Sequence, residues 1–288
     1  MAKRLPWWAK IILKILISKL RIPYSFLKKL GLVELGKMNS HNYSVEVFFS
    51  HLKEWGYDKK DLQGLTILEL GPGDSVATSI IASSLGARAI LVDAGSYVSK
   101  DISIYKDLVI HLQELGFKPK SISHCKDIQE ILNSCSSELY TNGLESLKNL
   151  KDSSIDIIFS QAVLEHIRYD EFLETINELK RIIKKGGISS HVVDLKDHLG
   201  DSLNNLRFSK KVWESNFFSS AGFYTNRIYF SEMLNYFREA RFEVKVSNIK
   251  KWKKMPIARN KLHESFRQLP SEDLLIKGFL VTLTNTET

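Results

Sequence analysis

From Leu65 onward, short apolar runs alternate with amphipathic segments, and no other feature constrains the fold as strongly. Residues 66–70, 89–92, 155–159 and 188–195 read as strands, with 138–141 a weaker one. Residues 76–85, 102–115, 128–135 and 169–183 between them carry helical periodicity, the last ending at Gly186-Gly187. Residues 230–240 read as one more helix, and 242–249 and 279–284 as a final strand pair. Strands separated by helices need crossover connections, which gives a mostly parallel sheet with helices on both faces. Upstream, a helical stretch runs from Pro23 to Gly36, and residues 43–56 form another helix with Val45, Phe48, Phe49, Leu52 and Trp55 on one side.

Two stretches break the alternation. Residues 196–228 separate a strand from its helix, and 250–276 separate the last two strands. Loops beyond roughly 12–15 residues are uncommon in compact domains and usually functional. In sheets of this kind ligands bind outside the carboxyl ends of strands, so these insertions are expected to cap a pocket and recognise its substrate.

The formal net charge of +8 is confined to one end. Lys3, Arg4, Lys10, Lys14, Lys19, Arg21, Lys28 and Lys29 fall within the first 31 residues, which hold no acid. Removing those eight from 41 basic residues leaves 33, against 33 acidic ones. A neutral body argues against a nucleic-acid track, which needs clustered cations. The short basic run at Lys250–Lys254 reads as a solvated loop.

Residues 6–20 read as a helix with Lys10, Lys14, Ser18 and Arg21 on one stripe and Ile and Leu around most of the rest. This apolar run is too short and too interrupted to span a bilayer, which needs roughly 20 residues. It also lacks the uninterrupted core and small-residue cleavage site of a signal peptide. Two readings stand. One is an interfacial helix on an anionic membrane, with tryptophans at headgroup depth. The other is a helix packing its apolar face on the body or on a second subunit. The expected organisation is a basic amphipathic arm over 1–35 and one domain over 36–288. Cys125 and Cys135 show no zinc-like spacing and suit a reducing, cytoplasmic setting, peripheral to the inner membrane face if the arm meets lipid.

The chemistry concentrates in three motifs. Glu69-Leu70-Gly71-Pro72-Gly73-Asp74-Ser75 joins a strand to a helix. Its glycines let the backbone turn tightly and approach a ligand, and the helix start offers amides to an anionic group. Val76 stands where a dinucleotide fingerprint needs glycine, so the pyrophosphate reading is weak. Some twenty residues on, the strand 89–92 ends in Asp93, followed by Ala94; a carboxylate there can hold both hydroxyls of a ribose. The third motif is the run from Ser154 to Ile167, which includes Gln161, Ala162, Glu165 and His166.

Together these motifs resemble the class I S-adenosylmethionine-dependent methyltransferases, especially those acting on small molecules and on glycan or lipid intermediates. The resemblance covers about 65–195 well and the final strand pair loosely. It implies an α/β, Rossmann-like, seven-stranded mostly parallel sheet whose last strand pair is antiparallel. It also implies that the turn at Glu69, Gly71, Pro72, Gly73 and Asp74 holds the methionine part of S-adenosylmethionine. Asp93 and Ala94 would then hold the ribose, and Gln161 and Ala162 would lie near the transferred methyl. Ser75 replaces a common third glycine. Asn142-Gly143 stands where many members carry an Asp for the adenine, a role the Asn142 carbonyl oxygen can fill.

Methyl transfer to oxygen asks for removal of a proton, which is histidine chemistry near neutral pH. His166 is the candidate base; a helix-start histidine that caps or packs is the competing reading. Asp194 and His198, at the end of the strand 188–195, are further catalytic candidates, whereas His191 points to the opposite face from Asp194. Glu165, Asp197, Tyr224, Asn226 and Arg227 are candidates for binding the acceptor, Arg227 as a clamp for an anion. Glu165, Asp194, Asp197 and His198 lack a clean ligand spacing, so no metal is expected. The expected partner is a small-molecule, glycan or lipid-linked acceptor. Alternatives are an inactive scaffold of the same fold, or methylation of a protein or nucleic acid. The Pro-Pro-aromatic tetrad of many amino-methylating nucleic-acid enzymes is absent at Ser160-Gln161-Ala162-Val163.

Overall fold

The computed structural model describes residues 5–19 and 38–286. The helical stretch expected between Pro23 and Gly36, and most of the arm's basic residues, lie outside the described residues. Seven strands form one sheet in the order β3-β2-β1-β4-β5-β7-β6. They are β1 (Thr66–Leu70), β2 (Arg88–Val92), β3 (Glu138–Tyr140), β4 (Ile155–Gln161), β5 (Ile183–Asp194), β6 (Glu243–Lys251) and β7 (Ile276–Thr284). The first five pair in parallel, and β7 runs antiparallel to both β5 and β6. Every residue of β1 is buried, as a central parallel strand with both faces covered requires.

Among the described residues, the α-helices of six residues or more are α1 (Trp7–Lys19), α2 (His41–Trp55), α3 (Ala77–Ser84), α4 (Ser103–Glu114), α5 (Ile128–Ser134), α6 (Gly143–Lys148), α7 (Phe172–Ile182) and α8 (Phe230–Glu239), with shorter turns in the two insertions. Those from α2 to α5 pack on one face of the sheet through Phe48, Trp55, Ile80, Leu108 and Ile131. The other face carries Leu147 of α6, Phe172 and Leu179 of α7, and Met233 and Phe237 of α8. Chain order reverses between β1 and β4, which places the binding crevice at the carboxyl ends of those two strands.

The structure departs from the sequence reading around Gly186-Gly187. These glycines do not end α7; they lie inside β5, which begins immediately after it. Gly186 has φ +74°, and a Cβ on Gly187 would come within 2.9 Å of the Asp156 carbonyl oxygen. The pair forms the irregularity where β4 and β5 shift register. Helix α6 was not legible in the apolar pattern, being little more than one turn long.

The insertions pack on one another, Leu203 and Leu206 of the first against Ile257, Leu262 and Leu274 of the second. Helix α1 lies on the first insertion, with Ile11 and Ile15 against Leu199, Trp213, Phe223 and Tyr224. Trp7 meets Phe208 edge-on and lies under the Arg207 guanidinium. The lysine stripe is not a free polar face, because Lys14 Nζ donates to the carbonyl of His198 at 3.3 Å. Among the described residues, no helix is long and apolar enough to cross a membrane.

Candidate active site

The turn after β1 is built to expose backbone. Gly71 and Gly73 have φ of +73° and +65°, a region where only glycine is unstrained. A Cβ on Gly71 would collide with Val163, so this glycine also lets the segment after β4 lie against the turn. A Cβ on Gly73 would meet nothing, which leaves that face open. Three neighbours brace the loop. The Gly71 amide donates to the Val92 carbonyl at 2.8 Å, and the Ser99 amide to the Asp74 carbonyl at 2.9 Å. Asn39, just before α2, donates through Nδ2 to Asp74 Oδ2 at 2.7 Å.

Asp93 faces this turn. Its Oδ2 accepts from the Gly73 amide at 2.9 Å and its Oδ1 from the Ala94 amide at 2.7 Å. The Gly95 amide also reaches this carboxylate, which still keeps acceptor capacity for a ligand hydroxyl. Burial raises the pKa of Asp93, against the pull of these amides. The Gly143 amide donates to the Asp93 carbonyl at 2.8 Å, and Gly143 approaches Ala94, so the Asn142-Gly143 corner borders the same site. Tyr97, half exposed beside Asp93, is a neighbour that the sequence motifs did not single out.

Glu69 is buried, and its Oε2 has no hydrogen-bond partner. Burial pushes its pKa up to about 8; the nearby Thr78 hydroxyl opposes the rise and the Asp93 charge adds to it. A buried carboxylate oxygen next to an open glycine turn suits a ligand that brings a cation. An ammonium for Glu69, a carboxylate for the turn and a diol for Asp93 are the groups of an amino acid joined to a ribonucleoside. The residues present therefore fit S-adenosylmethionine.

A second cluster stands at the ends of β4 and β5. Ala162 takes a left-handed φ of +55°, unusual outside glycine and a strain of roughly 1–3 kcal/mol, as its amide donates to the Val192 carbonyl. The chain then turns through Glu165 and His166. Glu165 is buried; Oε1 accepts from the Asp194 amide at 3.2 Å, while Oε2 has no partner. Burial pushes its pKa up to about 8, the backbone amide opposing and the Asp194 charge adding. His166 Nδ1 lies 2.9 Å from the Tyr224 carbonyl oxygen, which can only accept, so the proton sits on Nδ1 and Nε2 carries a lone pair. Burial depresses the pKa of this ring, although the residue as a whole keeps exposed surface. The His198 ring stacks on it with centroids 4.8 Å apart. His198 Nε2 is buried without a partner, and burial, followed by the neighbouring His166 and Lys14, holds its pKa down at about 3. Ligand atoms of Glu165, His166 and His198 all lie within 4.8 Å of one another.

Other residues expected to touch ligand instead build the scaffold. Asp197 is buried, and its oxygens accept from the amides of Leu199, Gly200, Ser202 and Asn204 and from Asn204 Nδ2. It organises its own loop rather than a substrate. Asn226 donates to the carbonyls of Leu164 and Ile167 and accepts from the Ile228 amide, which pins the segment carrying Glu165 and His166. The Arg227 guanidinium, expected to clamp an anionic acceptor, is engaged by the protein itself. It donates to the Phe208 carbonyl at 2.7 Å, pairs with Glu214 at 3.4 Å and lies over Trp213 and Phe266. Tyr224 donates its hydroxyl to Glu214 and acts on His166 only through its carbonyl. Asp194 accepts from the Lys196 amide and pairs with Lys196 Nζ at 3.4 Å, beside Glu165.

Sequence reasoning missed His51. This buried α2 residue contacts the Ser190 hydroxyl at 2.7 Å and Gln161 Oε1 at 3.3 Å, fixing the side chain that ends β4. Its place between Phe48 and Trp55 on the buried stripe was the available signal. His191 belongs to the core, between Ser160 and Ser189. A groove of about 560 Å³, lined by Val45, Phe49, Leu52 and Phe117 among others, shares no residue with the strand-end site.

A family model described as a methyltransferase domain matches residues 68–190, which include Glu69, Asp93, Glu165 and His166 and end within β5, before His198. No curated protein sequence matches the chain. Among solved structures, a Haemonchus contortus phosphoethanolamine N-methyltransferase 2 in complex with phosphomonomethylethanolamine and S-adenosylhomocysteine is 14% identical, with a TM-score of 0.47. The match covers 83% of this chain and 52% of that one, so the chain spans about half the length of that enzyme. The YcgJ protein of Bacillus subtilis is 16% identical over 83% of this chain and 100% of its own, with a TM-score of 0.45. An S-adenosylmethionine-dependent methyltransferase from Archaeoglobus fulgidus is 14% identical over 83% of this chain and 93% of its own, again with a TM-score of 0.45.

Proposed function

We propose that this chain, whose residues 68–190 form a class I S-adenosylmethionine-dependent methyltransferase domain, methylates an oxygen of a small polar, glycan or lipid-linked acceptor seated against Glu165, His166 and His198. The cofactor supplies a methyl group on a sulfonium, already strongly electrophilic, so the protein's work is alignment, exclusion of water and removal of one proton. Glu69 meets the cofactor's ammonium, the Gly71–Gly73 backbone its carboxylate, and Asp93 its ribose. Gln161, held by His51, and the strained Ala162 set the floor between the two clusters.

The reading rests on one observation: Glu165 Oε2 and His198 Nε2 are both buried without partners, in a cluster where Glu165, His166 and His198 each bring a ligand atom within 4.8 Å of the others. An unpaired buried polar atom costs about 1–3 kcal/mol, and a hydroxyl-bearing acceptor would satisfy several at once. His166 Nε2, held neutral by burial, takes the hydroxyl proton. Glu165, still protonated near pH 7 with a pKa of about 8, donates a hydrogen bond to a second acceptor oxygen.

The test is a methyl-transfer screen with labelled cofactor against hydroxyl-bearing glycans, lipid-linked glycans, amines, protein and nucleic acid. Label in an alkali-resistant ether on a glycan or lipid-linked acceptor supports the reading. Label found only in amines, protein or nucleic acid overturns it.

A further inference from the structure

We propose that α1 docks the protein on an anionic lipid bilayer through Trp8, Ile12 and Leu16, beside the site that receives the acceptor. One side of the helix is committed to the protein, through Trp7, Ile11 and Ile15 on the first insertion. The other is bare: Trp8, Ile12 and Leu16 are 54%, 53% and 53% exposed. Their spacing of four residues sets them along one stripe of the helix. Six of the ten large apolar side chains exposed among the described residues are Leu5, Trp8, Ile12, Leu16, Val212 and Phe217. All six lie on α1, just before it, or on the stretch flanking Trp213 and Phe218, which pack in the same cluster as α1. Apolar exposure is thus enriched on α1 and on the segment that packs with it.

Charge selects the occupant. The first 31 residues carry eight basic side chains and no acidic one, while the rest of the chain is neutral. An aqueous protein partner has no general need for that asymmetry, whereas the surface of an anionic leaflet attracts it directly. Tryptophan and aliphatic side chains at the headgroup boundary, with lysines reaching outward, are the chemistry of an interfacial helix, and α1 is not long and apolar enough to span. Lys14 ties the same helix to the His198 carbonyl, so the docked helix is in direct contact with the acceptor-side cluster. The structure thereby favours a lipid-linked acceptor delivered along the bilayer, a consequence that rests on the function proposed above; the docking itself does not.

Flotation of the full-length chain on vesicles of phosphatidylcholine with about one-third phosphatidylglycerol tests this, beside pure phosphatidylcholine vesicles. The comparison variant is Trp8→Ser/Ile12→Ser/Leu16→Ser, whose sites are exposed. Equal melting temperature and equal S-adenosylmethionine binding establish that it is folded. Docking predicts flotation of the parent on anionic vesicles only, weakened by salt, and a loss of roughly tenfold or more in the variant. No flotation of the parent, or equal flotation of both, overturns the proposal. So does a parent dimer that becomes monomeric in the variant without any flotation, which would assign the stripe to a second copy. Flotation without methyl transfer to any lipid-linked acceptor would leave docking standing and remove the acceptor reading alone.

Discussion

The Asp93 carboxylate accepts a hydrogen bond from the Gly73 amide at 2.9 Å, so the acid ending β2 and the bend after β1 confront each other across one site. Two residues twenty apart in sequence are joined by the parallel pairing of β1 and β2, with Leu70 opposite Val92. The bond has a double consequence. Asp93→Ala removes the ribose ligand and also leaves the Gly73 and Ala94 amides without their acceptor. Two charge-assisted hydrogen bonds at about 1.5–3 kcal/mol each predict a loss of S-adenosylmethionine affinity of at least about 100-fold, measured by equilibrium dialysis. Asp93→Asn, which keeps one acceptor oxygen, is expected to fall between variant and parent.

Glu69 makes cofactor binding pH-dependent. Its pKa is raised from 4.5 to about 8, so its contribution to folding is fully present below pH 4.5 and is lost as pH rises through 8. Relative to a Glu69→Gln variant, in which the buried histidines His51, His191 and His198 titrate alike, the cofactor-free protein should therefore lose melting temperature as pH rises from 5.5 to 7.5. Over that range an α-amino group stays largely cationic, its ordinary pKa being about 7.7–8.0. Binding pairs that cation with ionised Glu69 and expels a proton, so affinity should rise with pH across the same window. In Glu69→Gln the rise of affinity with pH should flatten. Thermal melts with and without cofactor, at several pH values, check the two slopes together.

His166→Ala separates proton removal from binding. General-base catalysis contributes roughly 10²–10⁴-fold, so kcat should fall by that order while cofactor affinity changes by no more than about twofold. Turnover equal to the parent's would return His166 to a packing role beside His198.

Arg227 belongs to the frame, and its loss should be read in stability. Removing one member of a buried ion pair costs about 3–5 kcal/mol, and Arg227 also carries the Phe208 carbonyl. Arg227→Ala should lower the melting temperature by roughly 10 °C. The KM for acceptor, measured on the folded fraction, should stay near the parent's; a large rise there would restore the anion-clamp role.

Glu165, His166 and His198 are close enough to attract a transition metal, which is the competing reading to the acceptor chemistry proposed above. A chelator alone should leave methyl transfer unchanged. Added Zn²⁺ should inhibit by occupying the cluster, and the chelator should reverse that inhibition. Activity abolished by chelation and restored by one metal would make the cluster a metal centre.

The sheet was legible in the sequence because a parallel strand buried on both faces has to be an apolar run: Thr66–Leu70 matched to the residue, and the other strands to within a few residues apart from the early start of β5. The glycine turn and Asp93 were equally legible, since positive φ and a strand-end acid leave chemical signatures. Roles of polar side chains in the insertions were not. Asp197, Asn226 and Arg227 are polar residues near strand ends whether they face a ligand or their own backbone, and only tertiary contacts distinguish the two. His51 and Asn39 were missed for the converse reason: each acts through a partner more than thirty residues away, on Gln161 and Asp74. For α1, amphipathicity allowed either packing or membrane contact. The structure gives the Trp7, Ile11 and Ile15 face to the protein and leaves the adjoining Trp8, Ile12 and Leu16 stripe exposed.

Calorimetric titration of the full-length chain with S-adenosylmethionine tests the central claim most directly. A single saturable site per chain, displaced by S-adenosylhomocysteine, is the predicted result. No saturable heat, or titration curves for parent and Asp93→Ala that superimpose, would contradict it.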